Sequence, residues 1–155
     1  MKHTKKPETV KNTFKLRVVQ DLAQQQSDTA ATRLGVLHAQ AAAAEQKLSM
    51  LLEYRAQYHA RLRQQMREDL HSAGLKNFHQ FMEKLDEAIE QQRSAVLAAR
   101  EAVQGGQHHW QAKQIKVKAY DTLALRHKVA QSERAQRSDQ RIADEFAART
   151  HHSKR

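Results

Sequence analysis

The sequence predicts an all-α protein in which two long helices form an antiparallel coiled-coil hairpin. Three observations predict this fold. The 155 residues include only four Gly and one Pro, too few to make the turns of a many-stranded sheet. Ala, Gln, Leu, Glu, Lys and Arg dominate the composition, which is typical of long helices. Finally, two long segments with heptad spacing flank a single cluster of turn-forming residues.

The first helix is predicted at about residues 10–70, because its apolar residues alternate at spacings of three and four. This seam consists of Leu34, Leu37, Ala41, Ala44, Leu48, Leu51, Arg55, Tyr58 and Leu62. Alanine positions bury little surface and Arg55 interrupts the apolar stripe, so we expect modest stability for the helix pair alone. The basic residues 1–9 precede the pattern and are expected to be disordered.

The turn is predicted at about residues 71–77, which read HSAGLKN. Gly74 suits the left-handed residue that commonly ends a helix. Asn77 suits the N-cap of the following helix, and Gln80 completes a capping-box pattern. The chain is therefore expected to reverse direction once, near Gly74.

The second helix is predicted at about residues 78–148, followed by a disordered basic tail at 149–155. Its seam consists of Met82, Leu85, Ile89, Gln92, Val96, Ala99, Val103, Gly106, Trp110, Lys113, Val117, Tyr120 and Ala124. Gly105 and Gly106 lie within this helix and together cost about 2 kcal/mol of helix propensity relative to Ala. We favour close approach of the partner helix as their role over a hinge.

The positive charge lies at the two ends of the chain. Of a formal net charge of +10, residues 1–17 contribute +5, residues 113–155 contribute +6, and the middle contributes −1. In an antiparallel hairpin the two termini meet, so one end of the molecule is expected to be strongly positive. A basic end can bind nucleic-acid phosphates, but the sequence contains no nucleic-acid-binding module. We therefore favour an acidic protein partner, and weak peripheral contact with anionic lipid stays open.

The sequence shows no pattern typical of an enzyme or of a cofactor site. It contains no Cys, no glycine-rich phosphate loop and no nucleophile elbow. The adjacent pairs His108-His109 and His151-His152 point about 100° apart on a helix, which is poor geometry for chelation. Glu83, Glu87 and Glu90 share a helix face, which is typical of a solvated surface. We expect no catalytic residues, no metal, no cofactor and no small-molecule substrate.

An aromatic cluster surrounds the predicted turn. It contains Leu51, Tyr54, Tyr58, Phe78, Phe81, Met82 and Leu85. Tyr54 and Phe81 lie one position off their seams and widen the apolar face beyond what a two-helix seam needs. Surplus apolar surface commonly marks a docking site. A local widening of the core remains an equally good interpretation.

Three segments of the sequence carry distinctive motifs. Residues 47–58 read KLSMLLEYRAQY, residues 77–93 read NFHQFMEKLDEAIEQQR, and residues 144–149 read DEFAAR. These segments resemble the FliJ family of flagellar type III export proteins. The first two are similar to the signatures of the family's first and second helices, and the third is similar to its ending. Lys47 and Gln92 differ from the residues that we associate with the family at those positions.

The resemblance implies a fold, a set of partners and a location. The family is similar to the γ-type stalk of rotary ATPases, an antiparallel coiled coil. Its implied partners are the hexameric export ATPase, whose assembly it promotes as a central stalk, the export gate membrane protein, and the export chaperones that it escorts. The implied location is the cytoplasm, peripheral to the inner membrane at the flagellar base. The residues that match the family's gate-docking face are Leu51, Tyr54, Tyr58, Phe81, Leu85 and Ala88.

The sequence alone leaves three other hypotheses open. The closest is the equivalent stalk of a virulence type III secretion system. The second is a basic helical nucleic-acid-binding protein, which should bind heparin or duplex DNA in a steeply salt-dependent way. The third is a purely structural coiled-coil dimer, which should self-associate in the ultracentrifuge.

Overall fold

Two α-helices account for nearly all of the described chain. The computed structural model describes residues 7–68 and 71–152; the side chains of residues 7–10 are outside the description. Helix α1 spans Pro7–Arg67 and helix α2 spans Ser72–His152. The helices pack against each other as an antiparallel hairpin, so the predicted fold class is confirmed.

The helix bounds differ from the predicted ones around the turn. Helix α1 ends at Arg67, and Glu68 N donates to Gln65 O at 3.0 Å. Helix α2 begins at Ser72, so Gly74 and Asn77 lie inside the helix rather than ending one helix and capping the next. His71 O accepts the first bonds of α2, from Gly74 N at 3.0 Å and Leu75 N at 3.2 Å.

The early start of α2 has a physical reason in the seam. Leu75 and Phe78 are half-buried and continue the spacing of Met82 and Leu85 toward the turn. Burying these side chains offsets the propensity cost of about 1 kcal/mol for a glycine within a helix. The predicted turn at residues 71–77 would have left Leu75 outside the helix and out of the seam.

The chain ends are also more helical than predicted. Residues 7–9 belong to α1 and residues 149–152 belong to α2, so the expectation of disorder is wrong for these positions. Residues 1–6 and 153–155, the rest of the two segments predicted to be disordered, lie outside the described residues.

The packing contacts divide into two units. The turn unit is Thr29–Gln111, and the terminal unit is the described part of Met1–Asp28 together with Ala112–Arg155. In the turn unit the core cluster is formed by Met82, Leu85 and Ile89, with Leu48, Leu51, Tyr58 and Phe78 packed against it. All predicted seam positions of both helices are buried or half-buried.

The polar residues that interrupt the predicted seam each contact the other helix. In the turn unit, Gln92 Nε2 donates to Ala44 O at 2.9 Å. In the terminal unit, Lys113 Nζ donates to Gln26 Oε1 at 3.4 Å. The seam also extends toward the N-terminus beyond its predicted start, through Ala23, Ser27 and Ala30, which are buried. Ser27 Oγ accepts a hydrogen bond from Gln114 Nε2 at 2.8 Å.

Gly106 lies where the helices of the turn unit approach closely. A Cβ atom added to Gly106 would lie 2.6 Å from Leu37 Cδ1 and 3.4 Å from Leu34 Cδ1. A Cβ atom added to Gly105 would meet nothing within 4 Å. The helix is continuous through both residues. The close approach of α1 therefore explains why a residue without a Cβ atom suits position 106, and it does not explain the glycine at position 105.

Candidate partner-docking site

Aromatic rings from both helices form a stack in the turn unit. The centroids of Tyr58 and Phe81 are 4.3 Å apart and their planes differ by 25°. Phe78, like Phe81, lies on α2, and the centroid of its ring is 6.0 Å from the centroid of the Tyr58 ring. The guanidinium carbon of Arg61 is 5.9 Å from the Tyr58 centroid, within reach of a cation–π contact. Sequence reasoning did not include Arg61, although its position one turn from Tyr58 on α1 indicates the contact.

The predicted docking residues differ in how much surface they offer. Tyr54 and Phe81 are exposed, by 54% and 40%. Leu51, Tyr58 and Ala88 are half-buried. Leu85 is 8% exposed and belongs to the core cluster with Met82 and Ile89. Leu85 therefore supports the aromatic stack from beneath and offers almost no surface of its own.

Near the aromatic stack, one side of the seam is apolar and the other side is charged. Arg55 Nε lies 3.1 Å from Asp86 Oδ1, an electrostatic contact without the alignment of a hydrogen bond. Phe81 and Asp86 are five positions apart on α2 and so project about 140° apart. The apolar stack therefore borders one side of the seam, and a charged pair borders the other.

The two residues that differ from the family pattern, Gln92 and Lys47, lie in different environments. Gln92 is half-buried, and its amide donates across the seam to α1, so it acts in packing. Lys47 is exposed. It lies seven residues before Tyr54, so it projects about 20° from Tyr54 and falls on the same side of α1. A lysine at this edge adds a positive charge to the predicted docking face.

Acidic side chains lie away from the aromatic stack. Glu83, Asp86, Glu87, Glu90 and Gln91 line a shallow groove that is wide open to solvent. An open groove cannot desolvate a pair of carboxylates, which an acid–base mechanism would need. Among the side chains described, those of residues 11–68 and 71–152, no group of three or more His, Asp or Glu is placed to hold a metal ion.

Basic side chains in the terminal unit lie mainly on α2. Residues 113–128 contain Lys113, Lys116, Lys118, Arg126 and Lys128 against the single acid Asp121. All of these cations except Lys113 are exposed. Residues 132–152, in contrast, contain four Arg and four acidic residues. The positive charge of the described terminal unit therefore comes from residues 113–128 of α2 and from Lys11, Lys15 and Arg17 of α1, which are also exposed.

The fold defines a two-helix hairpin protein whose turn unit exposes aromatic side chains. The family model described as "Flagellar FliJ protein" matches residues 12–155. A relative of the same name from Salmonella typhi is 33% identical over 134 residues, which cover 86% of this chain and 91% of the relative. Another from Escherichia coli (strain K12) is 31% identical over 134 residues, with the same coverage. The chain belongs to the FliJ family.

Within the described residues, neither α1 nor α2 contains a stretch that is long and apolar enough to cross a bilayer.

Proposed function

We propose that this chain is a non-enzymatic component of the flagellar type III export apparatus that links two partners. Its terminal unit binds the hexameric export ATPase as a central stalk and promotes ring assembly. Its turn unit docks on the export gate membrane protein, and the chain escorts export chaperones. It acts in the cytoplasm, peripheral to the inner membrane at the flagellar base. Membership of the flagellar FliJ family supports this system over a virulence secretion system.

The observation that carries the gate-docking proposal is the arrangement of Tyr54 and Phe81. Both rings are large and exposed, and Phe81 is held in place by its stack on the seam residue Tyr58. An ordered aromatic side chain loses little conformational entropy on binding, which makes it an effective anchor for a protein partner. We therefore assign the docking surface to Leu51, Tyr54, Tyr58, Phe81, Leu85 and Ala88, among which Tyr54 and Phe81 offer the most exposed surface.

The test of gate docking measures binding of the purified chain to the cytoplasmic domain of the gate protein by calorimetry. Tyr54→Ala should raise the Kd at least about tenfold, as loss of an exposed aromatic anchor does. Leu97→Ala is the matched control, because Leu97 is 60% exposed in the same unit but projects about 160° away from Phe81 on α2. If Tyr54→Ala and Leu97→Ala bind as tightly as the wild type, the docking proposal is wrong.

The stalk proposal is supported by the concentration of exposed cations at residues 113–128. A positive segment suits a negatively charged ring channel, where complementary charge speeds encounter and sets orientation. The test measures ATP hydrolysis and ring assembly with saturating chain. Reversing Lys116, Lys118 and Arg126 to Glu should abolish the stimulation, whereas reversing the exposed Arg63, Arg67 and Lys76 of the turn unit should leave it. Stimulation that survives the first set would contradict the proposal.

A further inference from the structure

The last segment of α2 makes no buried contact with the described part of α1. Gln131 donates a hydrogen bond to Thr13 at 3.4 Å and is the last half-buried residue of α2. Every residue from 132 to 152 is exposed, yet all of them are helical. We call residues 132–152 the C-terminal overhang.

The overhang carries a heptad stripe that lies one position off the register in which α2 packs against α1, because that register continues from Gln131 through Arg134 and Ser138. The stripe has spacings of four, three, four and three, and consists of Ala135, Asp139, Ile142, Phe146 and Arg149. Ile142 is 63% exposed and Phe146 is 70% exposed. A single helix of this length is marginal in water without a partner for its apolar face. The stripe is therefore a face with two large apolar side chains that no described residue of α1 covers.

The stripe is complementary to itself in the antiparallel direction. Asp139 and Arg149 lie at equal distances on either side of the midpoint between Ile142 and Phe146. Two antiparallel copies that place Ile142 opposite Phe146 therefore also place Asp139 opposite Arg149. Both contacts occur twice, as a two-fold interface requires. The overhang's four Arg and four acidic residues also give no net repulsion between the two copies.

We propose that the overhang pairs with the overhang of a second copy of this chain, as an antiparallel two-helix interface. The N-terminal residues 1–6 are a poor alternative cover, because MKHTKK supplies one apolar side chain against Ile142 and Phe146. The interface is short, so the dimer is weak and its population depends on concentration. This inference is independent of the partners proposed above, since it concerns the chain alone.

The test is sedimentation velocity of the full chain from about 10 µM to about 1 mM, the range in which a small interface associates. The wild type should shift from monomer toward dimer across this range. Phe146→Ala should abolish the shift. Phe14→Ala is the matched control, because Phe14 is 69% exposed in the same unit but lies on α1; it should leave the association unchanged.

Charge reversal makes the test specific for the antiparallel register. Asp139→Arg and Arg149→Asp should each weaken association by about fivefold or more, because each creates two like-charge contacts. The double variant Asp139→Arg/Arg149→Asp should restore association to within about twofold. Circular dichroism of each variant checks that helicity is retained. A wild type that stays monomeric at the highest concentration, or a double variant as weak as the single ones, overturns the proposal.

Discussion

The ring of Tyr58 lies face to face with the ring of Phe81, at a centroid distance of 4.3 Å. This contact joins a half-buried residue of α1 to an exposed residue of α2. The position of Phe81, and with it the shape of the proposed docking surface, therefore depends on the packing of the seam beneath it.

The stack should appear as a coupling energy in a double-mutant cycle. Tyr58→Ala and Phe81→Ala, measured singly and together by urea unfolding, should show a coupling of about 0.5–1.5 kcal/mol, the value typical of stacked aromatic pairs. Phe81→Ala combined with Leu97→Ala supplies the control. Those positions are about 24 Å apart along α2, and their effects should add. Additive effects for the first pair would show that the stack contributes nothing to stability.

For the hydrogen bond between Ser27 and Gln114, removing one partner should cost at least as much stability as removing both. Ser27 is fully buried, and its hydroxyl accepts from Gln114 at 2.8 Å. Gln114→Ala leaves the hydroxyl without this donor and should lower the free energy of unfolding by about 1–3 kcal/mol. The double variant Ser27→Ala/Gln114→Ala should be no worse than Gln114→Ala, because both polar groups are then gone. Chemical denaturation measures all three; a double variant that is much less stable would contradict this account.

Neighbouring glycines should respond differently to the same substitution. Gly105→Ala meets open space and should stabilise the chain by about 1 kcal/mol through helix propensity. Gly106→Ala places a Cβ against Leu37 Cδ1, the end of a side chain that must shift, so most of the propensity gain of about 1 kcal/mol should be lost. Thermal unfolding of the two variants compares them directly. Adding Leu37→Val to Gly106→Ala should recover part of the loss, because it shortens the side chain that is in the way.

The start of α2 at Ser72 gives a test of the turn. Gly74 is exposed and helical, so Gly74→Ala should raise the free energy of unfolding by up to about 1 kcal/mol. A glycine in the left-handed conformation after a helix would give the opposite sign, because Ala is strained there. Urea unfolding of this single variant therefore distinguishes the observed helix start from the turn that the sequence pattern predicted.

The seam was predictable because it depends on local spacing. The positions from Leu34 to Leu62 and from Met82 to Ala124 are all buried or half-buried, including the polar interruptions. The earlier seam residues Ala23, Ser27 and Ala30 were not predicted, because small and polar side chains do not stand out as an apolar stripe. Once the antiparallel pairing is known, their burial follows from register alone.

The turn and the docking face were harder to predict from residue type. Gly74 and Asn77 have strong turn preferences, but the burial of Leu75 and Phe78 outweighs those preferences in the structure. On the docking face, the spacing places Leu85 on the seam and Tyr54 one position off it, and the structure accordingly buries Leu85 and exposes Tyr54. The stack of Phe81 on Tyr58 depends on the register between the two helices, which residue type does not encode.

The small side chains along α1 also determine how the chain responds to temperature. The buried residues that α1 supplies are Ala23, Ser27, Ala30 and Ala41. The chain exposes 13425 Å², against about 8,000 Å² for a typical folded monomer of its mass. Unfolding therefore uncovers little additional apolar surface, and the heat-capacity increment per residue should be low. A low increment flattens the stability curve, so this chain should lose little stability on cooling.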